Sequence, residues 1–414
     1  MKIISAILST LLLLSFGSSA QDATGRWMQD KQNGGTVWIA PQYAADSISW
    51  NGKCTKGKAE GAGTLQCFVQ GTPKSSYTGM MQSGKPHGEG VYTFGEGLKL
   101  QGHFEQGVFL DLRKDCLAAL KKHYIPIKDD TNFYIGDEND RRLYYHAMIP
   151  VGEVKGVMVL LPGTWQSTEH LISSAKAICE LAYDQGIAVI VLSVNQRITL
   201  TDELLAVMNT MLKNAITQYK LPQDKCVIGG WSAGGLFSLR YTELANELPG
   251  KTAIKPVAVF SCDGPCDIRN IYYSFQRKLQ QQPGASESTY GIREMEQYCG
   301  GAPDAVPERY IYYSCYSHDQ PGGGNARFLK NTAVRIYNDV DPVWWMENRG
   351  VDMYELNALD QTAMIIALQQ MGNKDAQFIN AFGKGYRIEG FRHPHSWSII
   401  DPGALLQWIN EQLQ

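Results

Sequence analysis

The sequence predicts an α/β protein: a doubly wound, mostly parallel sheet that is preceded by a small all-β repeat domain. Three observations predict this fold class. Short apolar runs alternate with helical periodicity over residues 131–414, as expected when helices cover both faces of a parallel sheet. Residues 21–109 are rich in glycine and aromatic residues and have no helical periodicity. The length of 414 residues exceeds that of one ordinary domain.

Composition and charge restrict the class of protein. Apolar residues make up 44% of the chain and charged residues 19%, which is typical of a globular protein and not of a disordered one. The formal net charge of −3 gives no electrostatic reason to expect nucleic acid as a partner. Beyond the N-terminus, no stretch of sequence is apolar and long enough for us to expect a transmembrane segment.

Residues 1–20 have the pattern of a secretory signal peptide. Lys2 precedes an apolar run over residues 3–16, and the small residues Ser18 and Ala20 stand before Gln21. An N-terminal membrane anchor is the alternative, but the apolar run is short for a bilayer span. We therefore expect a secreted or periplasmic protein.

The region over residues 21–109 contains an internal repeat. Residues 50–63 and 77–90 share the same glycine spacing of five, four and two, and residues 101–109 form a partial third unit. This spacing predicts short β-hairpins stacked in one direction. It resembles the MORN repeat, and the resemblance implies a partner or a lipid as a ligand of these repeats. The alternative is a small β-platform that only packs against the next domain.

Because the predicted export leads to an oxidising compartment, the nine cysteines could form disulfides. Cys54 and Cys67 flank the turn of the first repeat almost symmetrically, which predicts a cross-strand disulfide. Two further pairs are possible, Cys262 with Cys266 and Cys299 with Cys315. The sequence has no CxxC pair and no Cys/His cluster with zinc spacing, so we expect no metal and no organic cofactor.

The second half of the chain has the alternating pattern of an α/β domain. We expect a linker helix within residues 110–130 and the α/β domain over residues 131–414. An insert over residues 266–330 interrupts the alternation and holds eight of the 21 tyrosines. A long aromatic insert can line a substrate cleft. The alternative is a helical excursion with partly buried tyrosines.

Residues 230–234 read Gly-Trp-Ser-Ala-Gly, directly after an apolar strand pattern and directly before a helical one. A serine in this context sits on a strained turn between strand and helix, and the flanking glycines avoid steric collisions there. The pattern predicts that Ser232 is a nucleophile. The alternative is a glycine-rich packing turn.

A serine nucleophile needs a general base and a carboxylate that orients this base. The order Ser, Asp, His of such sites places the base late in the chain, where only His393 and His395 are available. We expect His395 to be the base, with His393 as the alternative. For the acid we expect Asp341, in an Asp-Pro-Val turn after a strand. Asp339 and Asp263 are the alternatives.

The oxyanion of an acyl-transfer reaction requires preorganised N–H donors. The residue after the nucleophile, Ala233, supplies one donor. The loop after the strand at residues 155–161 reads Pro-Gly-Thr-Trp, and we expect Thr164 or Trp165 to supply the second. A plain strand-to-helix turn is the alternative for this loop.

From residue 131 onward the chain resembles the α/β-hydrolase superfamily, on the Gly-Trp-Ser-Ala-Gly turn, the late aspartate and the His-Ser-Trp loop. The resemblance implies Ser232, Asp341 and His395 as nucleophile, acid and base. It predicts a secreted serine hydrolase that cleaves a small-molecule or polymer-linked ester. A serine peptidase with the same triad is the first alternative. A non-catalytic binding protein, in which the hydrolase core is a scaffold, is the second.

Overall fold

The computed structural model describes residues 26–39, 45–94, 99–128, 132–134, 142–388 and 390–414. The predicted signal peptide lies outside these residues. The described chain forms two sheets, one from its N-terminal quarter and one from the remainder. No helix in the described part is long and apolar enough to cross a membrane.

The first sheet is mainly antiparallel, and its strand order is β1-β2-β5-β6-β7-β8-β9, with β3 and β4 also pairing with β5. Its strands are β1 (Arg26–Gln29), β2 (Thr36–Ile39), β3 (Ser47–Trp50), β4 (Lys53–Thr55), β5 (Lys58–Val69), β6 (Thr72–Gln82), β7 (Lys85–Phe94), β8 (Lys99–Glu105) and β9 (Val108–Leu110). Consecutive strands from β5 to β9 are neighbours, as expected for a series of hairpins.

The repeated glycines form a row across this sheet. Gly63 lies opposite Gly79, Gly79 opposite Gly90, and Gly90 opposite Gly102. The ring of the fully buried Tyr77 lies on this row, and a Cβ on Gly79 or Gly90 would come within 2.5 Å of its hydroxyl oxygen. The glycine spacing is therefore a packing requirement, because it leaves room for an aromatic ring flat against the strands.

The predicted disulfide between Cys54 and Cys67 is wrong. Cys54 pairs with Ala59 at the start of β5, whereas Cys67 lies eight residues further along that strand. Eight strand residues span about 26 Å, and the Cα atoms of a disulfide lie within about 7 Å of each other. The pairs Cys262–Cys266 and Cys299–Cys315 do not form either, since all nine cysteines are free thiols.

The second sheet has the order β10-β11-β13-β12-β14-β15-β16-β17. Strand β11 is antiparallel to both of its neighbours, and the strands from β13 to β17 are parallel. The strands are β10 (Leu120–Lys128), β11 (Arg142–Met148), β12 (Gly156–Leu161), β13 (Ile187–Leu192), β14 (Cys226–Trp231), β15 (Ala258–Cys262), β16 (Ala333–Asn338) and β17 (Ala376–Asn380). The predicted mixed α/β fold with a mostly parallel sheet is confirmed.

Helices cover both faces of this sheet, and each face has its own core. Along β12, Val157 and Val159 pack into one apolar cluster while Met158 and Leu160 pack into the other. This alternation explains why the strand reads as a continuous apolar run. The helices are α1 (Lys114–Ala119), α2 (Thr168–Ser174), α3 (Lys176–Asp184), α4 (Asp202–Tyr219), α5 (Ala233–Glu247), α6 (Ile268–Gln281), α7 (Ser286–Cys299), α8 (Pro307–Tyr313), α9 (Pro342–Arg349), α10 (Ala358–Gln370) and α11 (Pro402–Gln412).

The linker helix expected within residues 110–130 is much shorter than predicted. Only α1 is helical, and the chain then enters β10, which pairs with β11 from Leu120 opposite Met148 onward. Pairing with the sheet outweighs the local helical pattern here. The second sheet therefore begins at residue 120, before the expected boundary at residue 131.

The insert over residues 266–330 is helical. It contains α6, α7, α8 and a segment with 3₁₀ turns, Pro321–Leu329. Several of its tyrosines are buried, among them Tyr272, Tyr310 and Tyr313. Shorter 3₁₀ turns occur at Met353–Glu355 and Trp397–Ile399.

Candidate active site

Ser232 occupies a strained turn between β14 and α5. Its backbone angles are φ 57° and ψ −126°, a conformation that non-glycine residues rarely adopt. Its N–H donates to the carbonyl oxygen of Cys262, 3.0 Å away, at the end of the neighbouring strand β15. The turn is therefore held from the adjacent strand as well as by its own chain.

The glycines on either side of Ser232 are required by close backbone contacts. A Cβ on Gly230 would lie 2.4 Å from the carbonyl carbon of Gly234. A Cβ on Gly234 would lie 2.3 Å from the carbonyl oxygen of Leu161, at the end of β12. The Gly-x-Ser-x-Gly spacing thus follows from the geometry of this turn, and it brings α5 against the loop that follows β12.

His395 lies in the loop after β17 and contacts the serine turn through Trp231. The two rings are tilted against each other, with 4.7 Å between their centroids. His395 Nδ1 is 2.5 Å from Asp263 Oδ2, which leaves Nε2 as the nitrogen that can face a substrate or a hydroxyl group. Both Ser232 and His395 lie in the described chain, which records no hydrogen bond between the serine hydroxyl and the imidazole.

The carboxylate beside the imidazole belongs to Asp263 and not to Asp341. Asp263 follows β15 directly, has φ 49°, and is 5% exposed. Its N–H donates to the carbonyl oxygen of Tyr337 at 2.8 Å. The structure therefore does not bring the expected acid Asp341 to His395, and it brings the alternative Asp263 there instead.

Three amide side chains hold Asp263 from its other carboxylate oxygen. Asn338 Nδ2 donates to Oδ1 at 2.6 Å, Asn357 Nδ2 at 3.1 Å and Gln361 Nε2 at 3.4 Å. Asn338 ends β16, Asn357 precedes α10, and Gln361 lies in α10. Because these donors are neutral and all use Oδ1, Oδ2 remains the acceptor for His395.

Asp341 has two other roles. Its side chain caps the N-terminus of α9, where Oδ1 accepts from Trp344 N–H at 3.0 Å. Its Oδ2 forms an ion pair with Arg392 Nη2 at 2.8 Å. These contacts occupy the carboxylate at a helix start and turn it away from His395.

Asp339, the other alternative for the acid, holds the loop that carries the histidines. It is 1% exposed and accepts hydrogen bonds from the N–H groups of Gly383 and Gly385, at 2.9 and 2.7 Å. Arg392 reaches the same carboxylate with both terminal nitrogens, at 2.7 and 3.0 Å. The Asp339–Arg392 pair thus ties the end of β16 to the loop that ends in His395.

His393, the alternative base, does not contact Asp263 in the described chain. Its ring packs beside Trp344, with centroids 4.8 Å apart, and Nδ1 accepts from the N–H of His395 at 3.2 Å. Burial, reinforced by Arg387 and other neighbouring positive charges, lowers the pKa of His393 to about 2. A ring of so low a pKa is a poor general base near neutral pH.

The loop after β12 lies against the nucleophile. A Cβ on Gly163 would come within 3.0 Å of Ser232 Cβ. Trp165 is excluded as an oxyanion donor, because its N–H already donates to the carbonyl oxygen of Asn195 at 2.8 Å. This leaves Thr164 as the candidate donor in the loop. Ala233 is the first residue of α5, where an N–H has no acceptor within the helix.

Gln166 connects the loop after β12 to the histidine loop. Its Oε1 accepts from Gly163 N–H at 3.3 Å and from Trp397 Nε1 at 3.5 Å. Neither this residue nor the amides around Asp263 and the guanidinium of Arg392 could be recognised from the sequence. Their only sequence signal is a polar residue at a position that the surrounding pattern would bury, as for Gln361, which is 0% exposed.

The aromatic insert reaches the candidate site at one point. The ring of Tyr290 in α7 contacts that of the half-buried Trp165, with 4.9 Å between centroids, and its hydroxyl donates to the carbonyl oxygen of Gln196. The insert therefore forms one wall beside the loop after β12. Among the described residues, no group of three or more His, Cys, Asp or Glu side chains could hold a metal ion.

No protein-family model matches the sequence. No curated protein sequence matches it either. Solved structures do match the fold, at low identity.

Three of these structures are enzymes of the hydrolase class. Carboxyl esterase 2 from the mycorrhizal fungus Tuber melanosporum is 16% identical, with a TM-score of 0.44 over 71% of this chain and 84% of the esterase. Acylaminoacyl peptidase from Pyrococcus horikoshii is 11% identical, with a TM-score of 0.48 over 93% of this chain and 54% of the peptidase. S-formylglutathione hydrolase from Agrobacterium tumefaciens is 10% identical, with a TM-score of 0.43 over 71% of this chain and 95% of that enzyme. Similarity this low carries no functional argument, so the function must be argued from the geometry.

Proposed function

We propose that the protein is a serine hydrolase that cleaves an ester, with Ser232 as nucleophile, His395 as general base and Asp263 as the acid that orients the base. The observation that carries this proposal is the 2.5 Å contact between His395 Nδ1 and Asp263 Oδ2, on two loops that flank the strained Ser232 turn. A buried carboxylate on Nδ1 fixes the tautomer whose Nε2 can accept a proton.

The reaction proceeds through an acyl-enzyme. Ser232 Oγ attacks the ester carbonyl carbon while His395 Nε2 takes its proton, and Asp263 stabilises the imidazolium that forms. The imidazolium then protonates the departing alcohol. Water, activated by the same imidazole, releases the acid and restores the serine. Asp263 stays ionised throughout, since its role is to orient the ring and balance its charge.

The negative charge on the tetrahedral intermediate is stabilised by backbone donors. The N–H of Ala233 at the start of α5 and the N–H of Thr164 in the loop after β12 are the candidates. Because Gly163 has no side chain, this loop can approach the nucleophile closely. The N-terminal end of α5 adds a favourable dipole at the same place.

An ester is the substrate class that demands least of this site, because its carbonyl is less resonance-stabilised than that of an amide and an alkoxide leaves more readily than an amide anion. The same groups would serve a peptidase, and a panel of 4-nitrophenyl esters and aminoacyl anilides separates the two classes. Faster turnover of the anilides would assign the protein to the peptidases and overturn the ester assignment.

The nucleophile is tested with a fluorophosphonate probe that labels activated serines. We expect labelling of the purified protein and none of the Ser232→Ala variant, with a matched melting temperature showing that the variant folds. Ser238, in α5, provides the control variant Ser238→Ala, which should label like the unmodified protein. If the unmodified protein does not label, or if Ser232→Ala labels equally, the chain is not a hydrolase of this kind and a binding function becomes the better account.

A further inference from the structure

The ring of His393 lies at the edge of the candidate active site and is surrounded by hydrogen-bond donors. Arg387 Nη2 lies 3.5 Å from Nδ1, and Arg349 Nη2 lies 3.3 Å from Nε2. The N–H of His395 donates to Nδ1 at 3.2 Å. A guanidinium has only donors, and so has a backbone N–H.

These contacts assign the tautomer of the ring. Nδ1 of His393 accepts from the His395 N–H, so it carries no proton, and the neutral ring must carry its proton on Nε2. Neutrality agrees with the pKa of about 2 that burial and the nearby positive charges impose. The Nε2–H group therefore faces the guanidinium of Arg349, and two donors meet with no acceptor between them.

No carboxylate of the described chain relieves the meeting of the Arg349 guanidinium with the Nε2–H of His393. Among the described residues, Asp339 and Asp341 pair with Arg392, Glu355 pairs with Arg277, and no carboxylate pairs with Arg349. Lys278 adds another positive charge, since its Nζ donates to the carbonyl oxygen of Arg349.

The position of these donors connects them to the nucleophile. Arg387 lies over the ring of Trp231, with 5.2 Å between its guanidinium carbon and the ring centroid, and Trp231 precedes Ser232. The indole Nε1–H of Trp231 is itself buried and has no hydrogen-bond partner in the described chain. The donors around the ring of His393 thus lie next to the serine turn and to His395.

We propose that Arg349, Arg387 and the Nε2–H of His393, together called the anion pocket, bind an anionic group of the substrate, either a carboxylate or a phosphate. An oxyanion accepts several hydrogen bonds at once and would satisfy both donors that now face each other. This inference rests on the proposed function. It defines the substrate as an ester that carries a negative charge close to the scissile bond.

The test compares charged and neutral esters of matched size. The first pair, mono-4-nitrophenyl adipate and 4-nitrophenyl hexanoate, places the charge on the acyl side. The second pair, the acetates of 3-hydroxy-4-nitrobenzoate and of 2-nitrophenol, places it on the alcohol side. We expect kcat/KM to favour the charged member of at least one pair by about tenfold or more, since a charge-assisted hydrogen bond contributes at that level.

Variants of Arg349 locate the preference. Arg349→Gln should reduce the charged-to-neutral ratio of kcat/KM by about tenfold. Arg349→Lys should retain part of the ratio. Lys213→Gln removes the same charge from an exposed position on α4 and should leave the ratio unchanged.

Calorimetric titration of the Ser232→Ala protein with inorganic phosphate and with adipate tests the anion pocket without turnover. Binding of either anion that is lost on adding Arg349→Gln supports the pocket, and the anion that binds more tightly identifies the source of the charge. The proposal is overturned if neither pair shows a preference for charge, or if Arg349→Gln leaves the preference and the binding unchanged. Fluorophosphonate labelling without charge preference would remove the anion pocket alone, whereas absent labelling would remove the proposed function.

Discussion

Strands β15 and β16 are neighbours in the second sheet, and each is followed by an aspartate at the same edge. After β15, Asp263 receives three neutral amide donors on one oxygen and the imidazole of His395 on the other. After β16, Asp339 receives two backbone N–H groups and both terminal nitrogens of Arg392. The two carboxylates are alike in type and nearly alike in burial, and they differ in what surrounds them.

This difference shows that one sheet edge can hold two carboxylates side by side in different electrostatic surroundings. A carboxylate held only by neutral amides keeps its charge available to the partner on its second oxygen. A carboxylate paired with a guanidinium has its charge balanced already, and its geometry is fixed by the pair. The first arrangement suits an acid that orients a histidine, and the second suits an anchor for the loop that carries it.

The largest effect should come from neutralising the carboxylate that contacts the imidazole of His395. Asp263→Asn removes the charge that orients His395, and we expect kcat on a 4-nitrophenyl ester to fall by about 10³- to 10⁴-fold, as in other triads. Asp341→Asn keeps a side chain that can cap α9 and removes only the charge of a partly buried ion pair, so kcat should change by less than about tenfold. Equal losses in both variants, or a greater loss in Asp341→Asn, would restore Asp341 as the acid.

A smaller effect is expected from neutralising Asp339, the carboxylate that anchors the histidine loop. Asp339→Asn breaks the pair with Arg392 and weakens two backbone contacts, so the free energy of unfolding should fall by about 1–3 kcal/mol. We expect kcat to fall by about tenfold, because the loop that carries His395 is held less firmly. Arg392→Lys, which keeps the charge but not the two-nitrogen contact, should lie between the variant and the unmodified protein.

The control for the anchor is the shape of the pH profile of kcat/KM. If Asp339 only positions the loop, its variant should keep the profile of the unmodified protein at a lower level. A profile whose acidic limb, where the base becomes protonated, moves along the pH axis in Asp339→Asn would instead indicate that this carboxylate acts directly on the base.

The smallest effect concerns His393 and the change of stability with pH. Its pKa is about 2 in the folded chain and about 6.5 when unfolded. The unfolded state therefore binds a proton more readily below pH 6.5, so this group lowers the stability of the fold as the pH falls from about 6.5 towards 2. His393→Asn should reduce the stability lost between pH 7 and pH 5 by about 1–2 kcal/mol, measured by urea unfolding at both values. An unchanged loss would show that the ring is protonated in the folded chain.

Much of this site follows from local sequence, and the part that does not is decided by contacts between distant segments. The turn at Ser232 could be predicted because strand, glycines and helix are adjacent in the chain, and His395 could be predicted from its position after the last strand. The choice of the acid could not be predicted, because each of two adjacent strands is followed by an aspartate. Asn357 and Gln361, whose amides surround Asp263, follow it by about a hundred residues.

One signal against Asp341 was present in the sequence. An aspartate before a proline at the start of a helix is a typical capping pattern, and this is the role that the structure gives to Asp341 and Pro342. The fold also combines features that local sequence predicts with features that it does not. The alternation of strands and helices predicts the mixed sheet, whereas the start of β10 continues a helical pattern in the sequence and yet pairs with β11 as a strand.

The contact between the two sheets has a consequence for recombining parts of this chain. Leu110, the last residue of β9, and Leu112 belong to the apolar cluster that includes Leu171 in α2, and Ser173 Oγ donates to the carbonyl oxygen of Phe109 at 2.8 Å. A chimera whose junction follows residue 112 would lack Leu110 and Leu112, and α2 would lose the apolar contacts that these leucines make with its cluster. The parts of the chain that form the first and the second sheet therefore cannot be exchanged independently, and a fusion junction should be placed before β9.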